Sequence, residues 1–273
     1  MTDFIDLFHY SFFQNALMAA LLTSLIAGIV GAYIVARRSV FISGGITHAS
    51  FGGIGLAYYL GWPPFLGAAA FAILSALGIE WGTQRMKIRE DSSIAILWSL
   101  GMAIGIIAVF MTPGYTPNLM GFLFGDILTV NPADLIILAI WSLILLAGVI
   151  VFYRPVLYTA FDSEFAQVSG LPVKFIRYMT AITVAISIVL AIKVMGIILV
   201  LSLFTIPQAT ANLFYKDLRD IMWLSVLVAV GGSILGLVTA YFLDIPSGAS
   251  IIFTLTLIYA ITKCIKTILL FKS

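Results

Sequence analysis

The sequence predicts an all-α integral membrane protein, a polytopic bundle of eight or nine transmembrane helices. Three observations carry that prediction. Of 273 residues, 62% are hydrophobic and only 10% charged, with a mean hydropathy of +1.14, whereas soluble domains run about 25% charged. The apolar residues form uncharged runs close to the ~20 residues a helix needs to cross a bilayer core. The basic residues separate those runs in a pattern that fits one membrane orientation.

In chain order, Ala16 to Ala36 is 21 residues without a charge. Ser39 to Ile79 is also uncharged but too long for one crossing, and Gly61-Trp62-Pro63-Pro64 divides it into two helices. Arg85, Lys87 and Arg89 close that pair. Ser92 to about Met111 crosses next, until Thr112-Pro113-Gly114 and Pro117 break it. A loop, LMGFLFGDILTVNP, precedes Ala133 to Tyr153, which ends at Arg154-Pro155. The membrane pattern then lapses. YTAFDSEFAQVSGLPVKFIR is amphipathic, has Asp162 and Glu164 in an early turn, and stops at Gly170-Leu171-Pro172, predicting a short helix outside the bilayer at about 158–172. Tyr178 to Ile192, Val194 to Tyr215, Ile221 to Leu243 and Gly248 to Thr262 follow. The count is nine spans, or eight if Tyr178 to Tyr215 contains a broken helix.

Placing Arg37-Arg38 inside and alternating sides puts 13 of the 14 Lys and Arg residues inside, with Lys193 the exception. Asp3, Asp6, Asp126, Asp134 and Asp244 fall outside or at the outer interface. The N-terminus is therefore expected outside and the C-terminus in the cytoplasm, which makes the segment at 158–172 cytoplasmic. Its acidic residues argue for a protein partner over a lipid surface. A net charge of +2 gives no reason to expect nucleic acid, and the single Cys264 allows neither an internal disulfide nor a CxxC metal site. The start MTDFIDLFHYSFFQNA lacks a basic n-region and a small-residue cleavage site, so no signal peptide is expected to be removed.

One residue stands out against this scaffold. In RRSVFISGGITHASFGGIGLAYYL, a rise of about 1.5 Å per residue from the basic pair puts His48 roughly 15 Å deep, near the centre of a bilayer core about 30 Å thick. Ionisable groups at that depth face other helices or a wet cavity, so His48 reads either as a packed interhelical residue or as the lining of a path. Gly45, Ala49 and Gly53 form a small-xxx-small stripe for close helix contact. Ser43 and Thr47 offer hydroxyls to local carbonyls or to an ion. At the end of a span, Glu90 and Asp91 read as inner-exit ligands or as acids complementing a helix N-terminus.

These stretches resemble, in order, the conserved blocks of the permease subunits of the ABC-3 class of bacterial zinc, manganese and iron importers. RRSVFISGGITHASFGGIGLA is similar to their second-helix signature, an arginine pair followed by GDxxxHA. EDSSIAILWSLGMAIGI, LFGDIL at 123–128, FDSEFAQVSGLPV, IKVMGIILVLSLFTIPQATA and DIPSGASIIF follow the later blocks. The resemblance covers nearly the whole chain and implies a single permease domain over 1–273. It further implies a homodimer, a cytoplasmic ATP-binding-cassette ATPase that engages Phe161, Asp162, Glu164, Gly170, Leu171 and Pro172, and an extracytoplasmic protein that delivers the metal. Localisation to the bacterial inner membrane follows. No GxxxxGK[ST] loop occurs in the chain, so it is expected to be no enzyme and to bind no cofactor, the divalent metal being its substrate.

One position departs from the pattern. Gly44 stands where the family has Asp, four residues before His48. Fewer carboxylates favour zinc, and His48 is expected to bind it transiently with help from Thr47, Ser43 or a second His48; manganese or iron import is the alternative. A secondary transporter or channel would need no ATPase, but no clear inverted repeat supports it. An intramembrane enzyme is disfavoured, since HExxH and GxSxG are both absent.

Overall fold

The computed structural model describes residues 9–113, 125 and 127–271. Their elements are helices: α1 (Ser11–Ala36), α2 (Phe41–Leu60), α3 (Pro64–Arg85), α4 (Glu90–Met111), a 3₁₀ turn (Ile127–Thr129), α5 (Pro132–Phe161), α6 (Ser163–Val168), α7 (Val173–Met195), α8 (Ile197–Leu203), α9 (Ile206–Ala211), α10 (Leu218–Leu243) and α11 (Ser247–Phe271). Seven of them, α1, α3, α4, α5, α7, α10 and α11, are long and apolar enough to cross a membrane. Leu143, Ile150 and Phe110 are among many exposed large apolar side chains, a surface that suits lipid and not water. Asp3, Asp6, Asp126 and Lys272, which the charge argument used, lie outside the described residues.

The uncharged run from Ser39 breaks at Gly61, as its turn chemistry predicts. Gly61 adopts φ 70° and donates its N–H to the last carbonyls of α2, a left-handed cap that glycine makes without a Cβ penalty. α2 is not among the seven, because glycine, Ser, Thr and His lower its hydropathy. It is instead jacketed by protein: 14 of its 20 residues are buried, packed by α3 and α4.

Several expected ends move outward. α3 continues past Ile79 to Arg85 because Glu80 is paired inside the protein. α5 continues through Pro155 to Phe161; the carbonyl that loses an N–H partner belongs to Val151, whose residue is exposed. α7 starts at Val173 and keeps Lys193, whose Nζ lies 4.8 Å from the centre of the Phe65 ring. α11 runs beyond Thr262, and Lys266 there donates to the carbonyl of Leu213.

The cytoplasmic helix expected over 158–172 is correspondingly shorter. Residues 158–161 complete α5, and only Ser163–Val168 forms the separate α6. Asp162 divides the two by leaving helical geometry (φ −143°) and accepting the Phe165 N–H at 2.9 Å. Gly170 at φ +80° and the Leu171 N–H bond to Ala166 close the turn before Pro172.

The span expected over Val194 to Tyr215 is broken. Gly196 (φ 78°, ψ 166°) separates α7 from α8, and the backbone turns at Phe204-Thr205 before Pro207 in the first turn of α9.

Contacts group the chain into two compact units. One comprises Met1–Val35, Met120–Leu145 and Val194–Ser273; the other comprises Ala36–Leu119 and Leu146–Lys193. In the first, Gln208 on α9 donates from Nε2 to the carbonyls of Ala27 on α1 (2.7 Å) and Leu203 (3.3 Å). Those bonds reconnect a broken helix to its neighbour.

Candidate metal path around His48

The second unit contains His48, and its geometry is set by close helix contact. A Cβ on Gly101 of α4 would lie 2.5 Å from the Cα of Ala49 and 2.7 Å from its carbonyl oxygen. Gly52 and Gly105 meet α4 and α2 backbone in the same way. The predicted stripe therefore divides between two partners. Gly45 and Ala49 face Ile94 and Gly101 of α4, while Gly53 meets the carbonyl of Gly67 on α3. Without a hydrophobic driving force in lipid, this backbone-level packing is what holds such helices together.

Ile94, Trp98, Gly101 and Gly105 share one face of α4 at helical spacing. Trp98 lies one turn before the closest contact, and its ring stacks on His48 with centroids 4.3 Å apart and planes 7° from parallel. The His48 Nδ1 is buried without a hydrogen-bond partner. Residue His48 itself is partly exposed, in a helix whose other central residues are covered.

The hydroxyls expected to assist His48 donate to nearby carbonyls, which leaves their oxygen lone pairs free to accept. Ser43 Oγ donates to the carbonyl of Val40 at 2.8 Å, Thr47 Oγ1 to that of Ser43, and Ser50 Oγ to that of Thr47 at 2.6 Å. The Ser43 bond reaches the residue before α2 and the other two stay within it, and neither Ser43 nor Thr47 bonds to the imidazole Nδ1. Among the described residues no three His, Cys, Asp or Glu side chains form a metal-holding group. Around His48 the described residues thus offer an imidazole and not a closed cage of ligands.

Glu90 and Asp91 are each engaged with an arginine. Glu90 Oε2 lies 3.7 Å from Arg37, and Asp91 Oδ2 lies 2.9 Å from Arg89 Nη2 while Asp91 Oδ1 accepts the Ser92 N–H at 2.8 Å. A cavity of about 120 Å³ beside them is lined by Arg37, Arg38, Ser39 and Phe41 as well. Two arginines there offset the two carboxylates.

Sequence reasoning missed the charged centre of this unit. Glu80 is only 4% exposed. It lies 3.9 Å from Arg37 and 3.8 Å from Arg177, and accepts a 2.8 Å bond from Gln84 Nε2. Arg37 is shared between Glu80 and Glu90, so charged groups following α1 and on α3, α4 and α7 form one network. The available signal was a lone carboxylate one residue beyond an uncharged run. Trp98 was missed too, although the glycine spacing of α4 marks the same face.

The α6 region presents an apolar surface. Phe161, Phe165, Val168 and Phe175 are all more than half exposed, and Tyr158 meets the edge of Phe165 with centroids 5.3 Å apart. Asp162 and Glu164 are exposed beside them.

Residues 9–266 match the sequence profile of the ABC 3 transport family. The manganese transport system membrane protein MntC of Halalkalibacterium halodurans is 34% identical over 262 residues, covering 96% of this chain and 90% of that protein. The manganese import system permease protein ScaB of Streptococcus gordonii is 33% identical over 261 residues, with coverage of 95% and 94%. Among solved structures, PsaBC from Streptococcus pneumoniae in complex with Fab superimposes with a TM-score of 0.83 at 32% identity, covering 95% of this chain and 94% of that one.

Proposed function

The chain belongs to the ABC 3 transport family and is a membrane permease of a metal importer, and from that premise we propose that manganese is the ion it carries. The observation that carries this reading is that permease relatives matched along nearly their whole length bear manganese in their names. Zinc, the ion favoured by the Gly44 argument, rests on one position and gives way to the alternative of the same class. An imidazole holds manganese more weakly than zinc, and weak ligation suits an ion that must leave.

In the proposed cycle an extracytoplasmic binding protein delivers the ion to a pair of these chains in the inner membrane, N-termini outside and C-termini in the cytoplasm. His48 from each copy provides a transient nitrogen ligand near mid-membrane. A separate ATPase docks on the apolar surface around α6, and its closure on ATP shifts α6 and the adjoining α7. The Arg177–Glu80–Arg37 network then transmits that shift to α3 and the end of α1, changing access past His48. Arg38, Lys87 and the other basic residues hold the inner surface in place.

The test is uptake by cells stripped of their own high-affinity metal importers and supplied with this permease, its neighbouring ATPase and binding protein. Radiolabelled manganese should accumulate and resist competition by zinc at equal concentration. Zinc accumulation without manganese accumulation would refute the assignment of the ion.

A further inference from the structure

We infer that Trp98 is the positioning residue for His48, fixing the imidazole plane and supporting the ring when it carries an ion. The inference rests on the reading of His48 as a transient ligand and adds to it the group that holds the ligand in place.

A histidine that binds metal ordinarily donates its second ring nitrogen to a carboxylate, a carbonyl or water, which fixes the tautomer and the ring orientation. No described residue gives that support. Gly44 has no side chain to offer one turn earlier, the neighbouring Ser43 and Thr47 hydroxyls donate to nearby carbonyls, and Nδ1 is buried with no hydrogen-bond partner. The described partner of the ring is instead the indole of Trp98, stacked at 4.3 Å and 7°.

Such a stack does two things. It opposes the rotation about χ2 that would otherwise let the imidazole turn, because Trp98 lies between Ile94 and Gly101 on the face of α4 that meets α2. It also responds to charge. When His48 coordinates a divalent cation, the imidazole becomes electron-poor, and an indole face attracts a positive ring or cation more strongly than any other side chain's face does. The stack therefore tightens as the ion arrives, a share of the support that a carboxylate would otherwise give, without adding a fixed negative charge that would retain the ion.

The experiment compares Trp98→Phe and Trp98→Leu with wild type and His48→Ala in the assembled transporter. Manganese uptake is measured over a concentration series, and tryptophan fluorescence is measured on the purified complex in lipid nanodiscs. The half-saturating manganese concentration should rise about three-fold in Trp98→Phe and about ten-fold in Trp98→Leu. The chain has five tryptophans, so the Trp98 signal is the difference between wild type and Trp98→Phe. Paramagnetic manganese should quench that difference signal, and His48→Ala should abolish the quench.

An unchanged half-saturating concentration in both Trp98 variants, with His48→Ala inactive, overturns this inference and leaves His48 as a ligand. Normal uptake by His48→Ala overturns the reading beneath it. If Trp98→Leu fails to assemble, Trp98→Phe decides alone, since it keeps a ring in the seam: wild-type half-saturation there overturns the inference.

Discussion

Gly101→Ala tests whether α2 and α4 are held by backbone contact. Placed on Gly101, a methyl carbon would lie 2.5 Å from the Cα of Ala49, whereas carbon atoms settle about 3.5–4.0 Å apart. The helices must separate by roughly 1 Å, a gap that forfeits a quarter to a half of each contact's dispersion energy along the seam. Overpacking costs about 1–3 kcal/mol, and the upper end applies because the obstacles are backbone atoms that cannot rotate away. Alanine's better helix propensity returns about 1 kcal/mol. The net loss is about 2 kcal/mol, or roughly 4–8 °C in apparent melting temperature for a chain of this size. Gly148→Ala is the control: nothing lies within 4 Å of its added methyl, so propensity acts alone and stability should rise by about 0.5–1 kcal/mol. Both are read by thermal melts of the detergent-purified permease. Equal melting temperatures for the Gly101 and Gly148 variants would refute the close-packing account of α2.

Glu80→Gln removes the charge that Arg37 and Arg177 share while keeping a partner for Gln84. Deleting one partner of a buried pair costs 3–5 kcal/mol. Here the arginine side chains are 15% and 27% accessible and the separations are 3.8–3.9 Å, so about 1–2 kcal/mol is expected, measured as a lower melting temperature; an unshifted melt would contradict the network. Asp162→Ala removes the cap of α6 at a cost of about 1 kcal/mol, so amide exchange at Phe165 should speed about five-fold. Unchanged exchange would show that the Asp162 bond does not hold α6. Glu164→Lys inverts an exposed charge on the proposed docking surface and should lower metal-stimulated ATP hydrolysis. Normal stimulation would remove α6 from the coupling path.

The spans were legible because lipid demands long uncharged runs, and the runs at Ala16 to Ala36 and Ile221 to Leu243 coincide with α1 and α10. Their ends were less legible. A charge reads as a boundary, yet Glu80 is paired within the protein, Lys193 rests on Phe65, and Lys266 reaches the Leu213 carbonyl. His48 was legible as a lone ionisable group in a long uncharged run. Its partner was not, since a tryptophan in an apolar helix reads equally well as facing lipid. Nor was the network legible, because Arg37, Glu80 and Arg177 are distant in sequence and only folding brings them together. The segment at 158–172 was legible as a short helix stopping at Gly170, but its division at Asp162 depends on a backbone torsion that periodicity does not record.

The central claim is energised passage of a metal ion past His48. Proteoliposomes containing the permease with its ATPase, supplied with ATP and the manganese-loaded binding protein, test it directly. The account predicts ATP-dependent manganese movement that His48→Ala abolishes while the complex stays assembled. Manganese transport by His48→Ala at the wild-type rate would contradict it.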